Sequence, residues 1–227
     1  MQHPQTLLDE LASFDTPTIC NALEVLDDGF CDYGYTKEPL MCAFPDMAPM
    51  VGYAVTAMVA TSQPTESADV LNARRGAYYA AVAAADGPKI VVSQDVDGAR
   101  GPAASWGEVM AHAHQTLGCL GVLTDGAIRD IAGMPANFQF LATCVKPSHG
   151  RLHWVDYGQA VTIAGLLIKP GDLIHMDCNG AARIPHELAA GTPDAARGIQ
   201  AKEEKILNAA KAGDKAQLLK MFGAENP

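Results

Sequence analysis

An arginine followed at once by an aspartate, Arg129-Asp130, closes the run Leu120-Gly121-Val122-Leu123-Thr124-Asp125-Gly126-Ala127-Ile128. The run reads as a short buried strand entering a tight turn, so the pair is presented at a strand end. A guanidinium there can grip an anionic substrate, and a carboxylate can hold a metal ion. Glu108 stands 21 positions before Arg129, in Ser105-Trp106-Gly107-Glu108, which reads as a helix start. Two acids and an arginine could then converge. The free amides of Gly107, Glu108, Val109 and Met110 at a helix N-terminus would hold a carboxylate, and Gly107 would let a small anion approach the backbone. The same letters have a plainer reading. Ser-x-x-Glu is a capping box, and an aspartate after a Gly-rich turn commonly caps the next short helix.

Other polar residues carry weaker signals. His149, Arg151 and His153 lie in a loop after a strand over 138–145, where α/β proteins often place substrate contacts, so a specificity role is open to them. His112 and His114 are two apart on a helix and face different directions, which argues against a shared metal. His175 alternates within a strand and reads as packing. There is no G-x-S-x-G, no G-x-x-x-x-G-K and no G-x-G-x-x-G after a strand, so hydrolase, ATPase and dinucleotide readings fall away.

The elements that must position these residues follow from periodicity and turn residues. Leu7, Leu8 and Leu11 predict a helix over 4–13, and Thr16-Pro17 predicts an N-cap and first-turn proline for a second helix to about Leu26. Residues 27–50 read as an ordered loop. Strands are expected at 51–61, 89–96, 120–124 and 138–145, and helices at 69–85, 105–117 and 129–134. The alanine-rich face of the helix over 69–85 is expected to lie close against a sheet. Short apolar runs at 161–163, 166–177 and 180–184, separated by turn residues, predict antiparallel strands, and 186–207 and 211–222 predict helices. This alternation gives an α/β core, read as a single domain over 1–227 with a helical C-terminal extension from about 186.

Composition narrows the partners. Asp and Glu number 26 against 16 Lys and Arg, with no basic run to track a phosphate backbone, so nucleic acid is not an expected partner. Six cysteines without a C-x-x-C pair suit free thiols in a reducing, cytoplasmic setting. No apolar run approaches the roughly 18 residues of a membrane span, and the first twenty residues carry acids where a signal peptide would be basic.

With these motifs in view, the chain resembles the RraA-like family, which includes class II 4-hydroxy-4-methyl-2-oxoglutarate aldolases and RraA, the regulator of ribonuclease E activity. The likeness rests on Gly107-Glu108-Val109-Met110, Asp125-Gly126-Ala127-Ile128-Arg129-Asp130, Pro170-Gly171-Asp172, Asp177-Cys178-Asn179-Gly180 and Pro185. The family's aldolase motif is an Asp, twenty residues, then Arg-Asp; here Glu108 takes the first place. The segment Val145-Lys146-Pro147-Ser148-His149-Gly150-Arg151 departs from the family's Arg-Gly-containing loop.

The resemblance implies an α-β-β-α sandwich with mixed sheets. It implies that Asp130 ligates Mg²⁺ or Mn²⁺ directly, that Glu108 holds the metal through water, and that Arg129 with the 107–110 amides binds a pyruvate moiety. It further implies a homotrimer or homohexamer with sites between subunits, a further acid coming from a neighbour, for which Glu203 or Glu204 is the counterpart here. The implied activity is metal-dependent retro-aldol cleavage of a 4-hydroxy-2-oxo acid to pyruvate, with oxaloacetate decarboxylation through the same enolate. A divalent metal would act as the Lewis acid and Arg129 would place positive charge near the enolate oxygen, a contribution worth about a hundredfold or more in rate. Two rivals stand beside it: a non-catalytic regulator that binds a ribonuclease, and a lyase for another hydroxy acid or sugar acid.

Overall fold

A computed structural model describes residues 2–98 and 101–224. The N-terminal helices are α1 (Gln5–Leu11) and α2 (Thr16–Leu26). Asp15 caps α2, its carboxylate accepting from Thr18 N at 2.9 Å, so the cap falls one residue before the expected Thr16. The expected loop over 27–50 contains a single helical turn, α3 (Phe30–Tyr33), and a two-residue strand, β1 (Met41–Cys42).

The central parallel strands are β2 (Met50–Ala60), β3 (Lys89–Asp95), β5 (Cys119–Thr124) and β7 (Gln139–Ala142), paired in that order. Their β-branched and apolar sequences suit burial on both faces. Alternate residues do divide between two cores: Val91, Val122 and Phe140 face one, and Ile90, Val92, Leu123 and Leu141 face the other. Antiparallel strands complete the mixed sheet. β1 pairs β7; β9 (His153–Tyr157) and β12 (Leu173–Asp177) pair successive parts of β2; and β13 (Gly180–Ile184) pairs β12. A separate hairpin joins β10 (Val161–Ile163) to β11 (Leu166–Ile168), as the turn spacing predicted.

The strand expected over 138–145 is broken at Thr143, after which β8 (Cys144–Val145) leaves the main sheet. It joins β4 (Ala104–Trp106) and β6 (Ala127–Ile128) in a small parallel sheet ordered β4-β6-β8. This small sheet positions the candidate site.

α4 (Ala68–Ala84) lies where expected but turned the other way. Only Tyr78 and Val82 are buried, while Ala73, Ala77, Ala80, Ala81 and Ala84 are exposed. Tyr78 and Val82, with half-buried Tyr79 beside them, set the rotation through the apolar area they bury, and the small side chains face outward. α5 (Glu108–Thr116) follows β4, and α6 (Thr192–Lys211) and α7 (Lys215–Met221) end the described chain. Among the described residues no helix is long and apolar enough to cross a membrane.

The Pro-Gly-Asp and Asp-x-x-Gly signatures serve the fold. Asp172 accepts from Lys169 N at 2.8 Å and pairs with Arg183 at 3.6 Å, closing the turn into β12. Asp177 accepts from Thr16 N at 2.7 Å and from Asn179 N at 2.7 Å, tying the β12–β13 turn to the start of α2. His175 is buried, hydrogen-bonded to Thr16 Oγ1 at 2.9 Å and Phe14 O at 3.0 Å, which makes it a core histidine.

Candidate active site

The candidate residues gather at the carboxyl ends of the small parallel sheet, the edge at which α/β folds bind ligands. Gly107 follows β4, Arg129 follows β6, and the segment leading to His149 follows β8. The ladder runs one residue past each strand: Arg129 N donates to Trp106 O at 2.9 Å and Lys146 N to Ile128 O at 3.0 Å. Three segments distant in sequence are thereby held side by side by backbone hydrogen bonds.

Asp130 adopts left-handed backbone angles, φ 60° and ψ 34°, before a 3-10 turn over Ile131–Gly133. Aspartate is among the few non-glycine residues that tolerate this region, and such conformations gather at functional sites. The plainer reading of Asp130 as a helix cap does not hold, because its side chain makes no cap hydrogen bond. Its carboxylate instead lies 3.2 Å from Arg129 Nε, with both side chains about one-third exposed, at 31% and 32%. Gly107 lies directly against this pair. A Cβ there would stand 2.7 Å from Asp130 Oδ2 and 3.1 Å from Arg129 Nε.

The capping-box reading of Ser105 and Glu108 is also overturned. Ser105 is extended and fully buried inside β4, its Oγ directed at Ala127 O at 3.5 Å, because its neighbours Ala104 and Trp106 pair with Ala127 and Ile128 of β6 on either side of it. The N-cap is Gly107, which has no side chain to accept from the helix amides. Those amides receive no side-chain cap, and Glu108 reaches the 130–133 turn: a Cβ on Gly133 would lie 1.7 Å from Glu108 Oε2. One helical turn on, His112 Nε2 approaches Gly133 O at 3.2 Å. Both acids therefore meet the same short turn. The sequence reading passed over Gly133, although a glycine three residues after Asp130 could have suggested a close approach.

A cavity of about 130 Å³ lies in front of Arg129, lined also by Gly107, Met110, Trp106, His149 and Leu152. A larger cavity of about 440 Å³, between α4 and β2, has Tyr53, Ala81 and Tyr157 in its walls and none of the candidate residues. Of the candidate residues, Gly107, Val109, Met110, Arg129 and His149 line the smaller one, and Glu108 and Asp130 stand outside its lining. Of the three loop residues singled out, only His149 lines it; His153 Nδ1 lies 2.8 Å from Arg151 O, away from the cavity.

His114 does not share a metal with His112. It is buried among Tyr78, Tyr79 and Trp106, its ring bonded to Tyr78 OH at 2.8 Å and Met110 O at 2.6 Å, and burial pushes its pKa down to about 4. Glu203 and Glu204 sit on α6, beside Gln200 and Leu207, and neither lines the Arg129 cavity of the same chain.

Two carboxyl groups that sequence reasoning passed over lie where the main sheet hands over to the small one. Asp95 ends β3 and Asp125 follows β5, and Asp95 N donates to Asp125 Oδ1 at 2.7 Å. Burial pushes both pKa values up to about 6. Asp95 Oδ2 is buried without a hydrogen-bond partner and would be 3.1 Å from a Cβ on Gly126. Asp125 opens the Asp-Gly-Ala-Ile-Arg-Asp motif but was given no role of its own, Asp95 lies in no motif, and only strand pairing brings the two together.

Asp130 and Glu108 are hard oxygen donors of the type that Mg²⁺ and Mn²⁺ prefer. Among the described residues no group of three or more His, Cys, Asp or Glu side chains could hold a metal ion. A cation on two carboxylates would keep most of its shell for water and substrate oxygens, which is the habit of Mg²⁺, so the residues fit such an ion.

The model of the RraA-like family, described as Aldolase/RraA, matches residues 16–182. The chain belongs to the RraA-like family. A curated relative from Methanocaldococcus jannaschii, the uncharacterized protein MJ0644, is 32% identical over 52% of this chain, and the match spans only 58% of that relative's length. A protein of Halalkalibacterium halodurans with the provisional name 4-hydroxy-4-methyl-2-oxoglutarate aldolase is 30% identical over 88% of each chain. The solved structure of RraAS2 from Streptomyces coelicolor, described as an unusual member of the RNase ES inhibitor RraA protein family, superimposes with a TM-score of 0.68. It is 21% identical over 90% of this chain and 96% of that one, so it speaks to the shared α/β fold alone. The family match ends before α6, the helix that carries Glu203 and Glu204.

Proposed function

We propose that this RraA-like chain is a divalent-metal-dependent lyase that cleaves a 4-hydroxy-2-oxo acid to pyruvate by a retro-aldol reaction and also decarboxylates oxaloacetate. The observation that carries this reading is the contact of Gly107, Arg129 and Asp130 at the N-terminus of α5, which sets a carboxylate 3.2 Å from the arginine that, with the helix start, lines the cavity. Arg129 and the amides of 107–110 bind the carboxylate and 2-oxo oxygens of the substrate, an arrangement a helix N-terminus favours.

In the cleavage the C4 hydroxyl gives up its proton to water, the C3–C4 bond breaks as the C4 carbonyl forms, and the electron pair moves towards the C2 oxygen. The resulting enolate takes a proton at C3 to become pyruvate. Arg129 supplies fixed positive charge where that oxygen becomes negative. Asp130 directly, and Glu108 through water, would hold a Mg²⁺ or Mn²⁺ ion, which when bound would supply a Lewis acid for the 2-oxo acid. Loss of CO₂ from oxaloacetate leaves the same enolate, so one site serves both reactions.

In this reading the working unit is a homotrimer or homohexamer of a single RraA-like domain, in which Glu203 or Glu204 of a neighbouring copy completes the site. Six free cysteines suit a cytoplasmic setting. The test is pyruvate release by purified protein with Mg²⁺ or Mn²⁺, from a 4-hydroxy-2-oxo acid and from oxaloacetate. Release from both supports the proposal. No release from either, together with a stable ribonuclease complex and no metal binding by calorimetry, replaces it with a regulator.

A further inference from the structure

We infer that His149 is a specificity-determining residue of this site, donating a hydrogen bond to a terminal carboxylate on the part of the substrate that leaves with C4. The inference rests on the lyase reading above and adds to it which residue reads the leaving half.

The loop that carries His149 is held on both sides. Ala104 N donates to Ser148 O at 2.7 Å, Arg151 N donates to Thr61 O at 2.9 Å, and Leu152 N donates to His149 O itself at 3.1 Å. Gly150 fixes the turn that follows, with φ +53°, a left-handed value that favours glycine. A Cβ there would come within 2.7 Å of Thr61 O and 2.8 Å of Ala103 Cβ. The backbone of His149 is therefore set by the neighbouring strands. A group held in this way can select between ligands with little ordering cost.

The cavity lining combines two chemistries. Arg129 and the α5 amides supply the anion-binding part, which the 2-oxo acid group occupies. The lining also includes the apolar side chains of Trp106, Met110 and Leu152, and with them the imidazole of His149. Among the described residues that imidazole has no hydrogen-bond partner, and Arg151 and His153 do not line the cavity. A substituent on C4 thus meets apolar surface and one N–H donor. A carboxylate oxygen gains most from that donor, since hydrogen bonds with a charged partner are about twice as strong as neutral ones.

The test compares kcat/KM for two 4-hydroxy-2-oxo acids that differ only in ending with a carboxylate or with a methyl group. The enzymes are the wild type, His149→Leu and His149→Gln, each checked by thermal unfolding. The wild type prefers the carboxylate substrate. His149→Leu lowers the ratio of the two kcat/KM values by roughly tenfold to a hundredfold, the worth of one charge-assisted hydrogen bond. His149→Gln, which retains an N–H donor, keeps the ratio closer to wild type than His149→Leu does. An unchanged ratio in His149→Leu, or a wild type that prefers the methyl substrate, overturns the assignment. Hydrogen exchange at pyruvate C3 in D₂O, measured on the wild type, separates the two levels. Exchange with an unchanged ratio removes the role of His149 alone, whereas a wild type with neither exchange nor cleavage removes the lyase reading and His149's role with it.

Discussion

Gly107→Ala adds one methyl group at the point where the helix start, the arginine and the aspartate meet. Gly107 has φ −151° and ψ 179°, extended backbone that any residue adopts, so the substitution brings no backbone strain. The new Cβ would lie 2.7 Å from Asp130 Oδ2, 3.1 Å from Arg129 Nε and 3.2 Å from Arg129 Cγ. To reach ordinary contact distance, the carboxylate must retreat by roughly 0.7 Å and the guanidinium stem by a few tenths of an ångström. Both groups are ends of flexible, partly exposed side chains, and moving them costs the fold little. Losing a glycine N-cap costs up to about 1 kcal/mol, and the stiffer unfolded chain offsets about 0.4–1 kcal/mol of that. Stability therefore stays within about 1 kcal/mol of wild type, while a misplacement near 1 Å at a reacting centre costs on the order of a hundredfold in rate. The assay pairs thermal unfolding with kcat/KM for pyruvate release. A Gly107→Ala protein that is as stable as wild type and within threefold of its activity refutes the reasoning.

Asp130→Asn keeps the left-handed turn, which asparagine tolerates, but removes the charge. Mn²⁺ affinity by calorimetry is expected to fall at least tenfold with an unchanged circular dichroism spectrum. Gly133→Ala drives a methyl into Glu108, so metal affinity is expected to weaken while Arg129 still binds pyruvate in a titration; unchanged affinity removes Glu108 from the site. Asp95 and Asp125 have pKa values raised to about 6 by burial, so the folded state holds protons that the unfolded state has already lost at that pH. Their contribution to stability is present below the unfolded pKa, near 3.8, and is lost as pH rises to about 6. His114, with its pKa lowered, has the opposite slope, so the comparison is made between variants: Asp95→Asn loses less stability than wild type from pH 4 to 6 in urea titrations. Finally, one of Glu203→Gln and Glu204→Gln, but not both, is expected to lower kcat with the oligomer intact by light scattering.

Much of the architecture was legible from local pattern. The apolar runs of β2, β3, β5 and β7 and the turn-separated runs of β10 to β13 announce themselves through residue type and period, because each strand's neighbours in sequence carry the signal. Arg129-Asp130 and the glycine before Glu108 were legible for the same reason. Ser105 was misread because a capping box is also a local pattern, and only pairing of β4 with β6 shows that Ser105 is extended and Gly107 starts the helix. The outward alanine face of α4 depends on what Tyr78 and Val82 find to bury against, which no window of the helix contains.

What the sequence by itself determined is the inventory: an acidic α/β chain with a cation and carboxylates at a strand end and a glycine at a helix start. What only the tertiary structure decided is the company those residues keep. Gly133 against Glu108, His149 in the cavity that Arg129 lines, and Asp95 bonded to Asp125 bring together residues 20 or more positions apart. These juxtapositions exist because parallel strands must be joined by long crossovers, so the residues gathered at one sheet edge come from chain positions whose local patterns say nothing about one another.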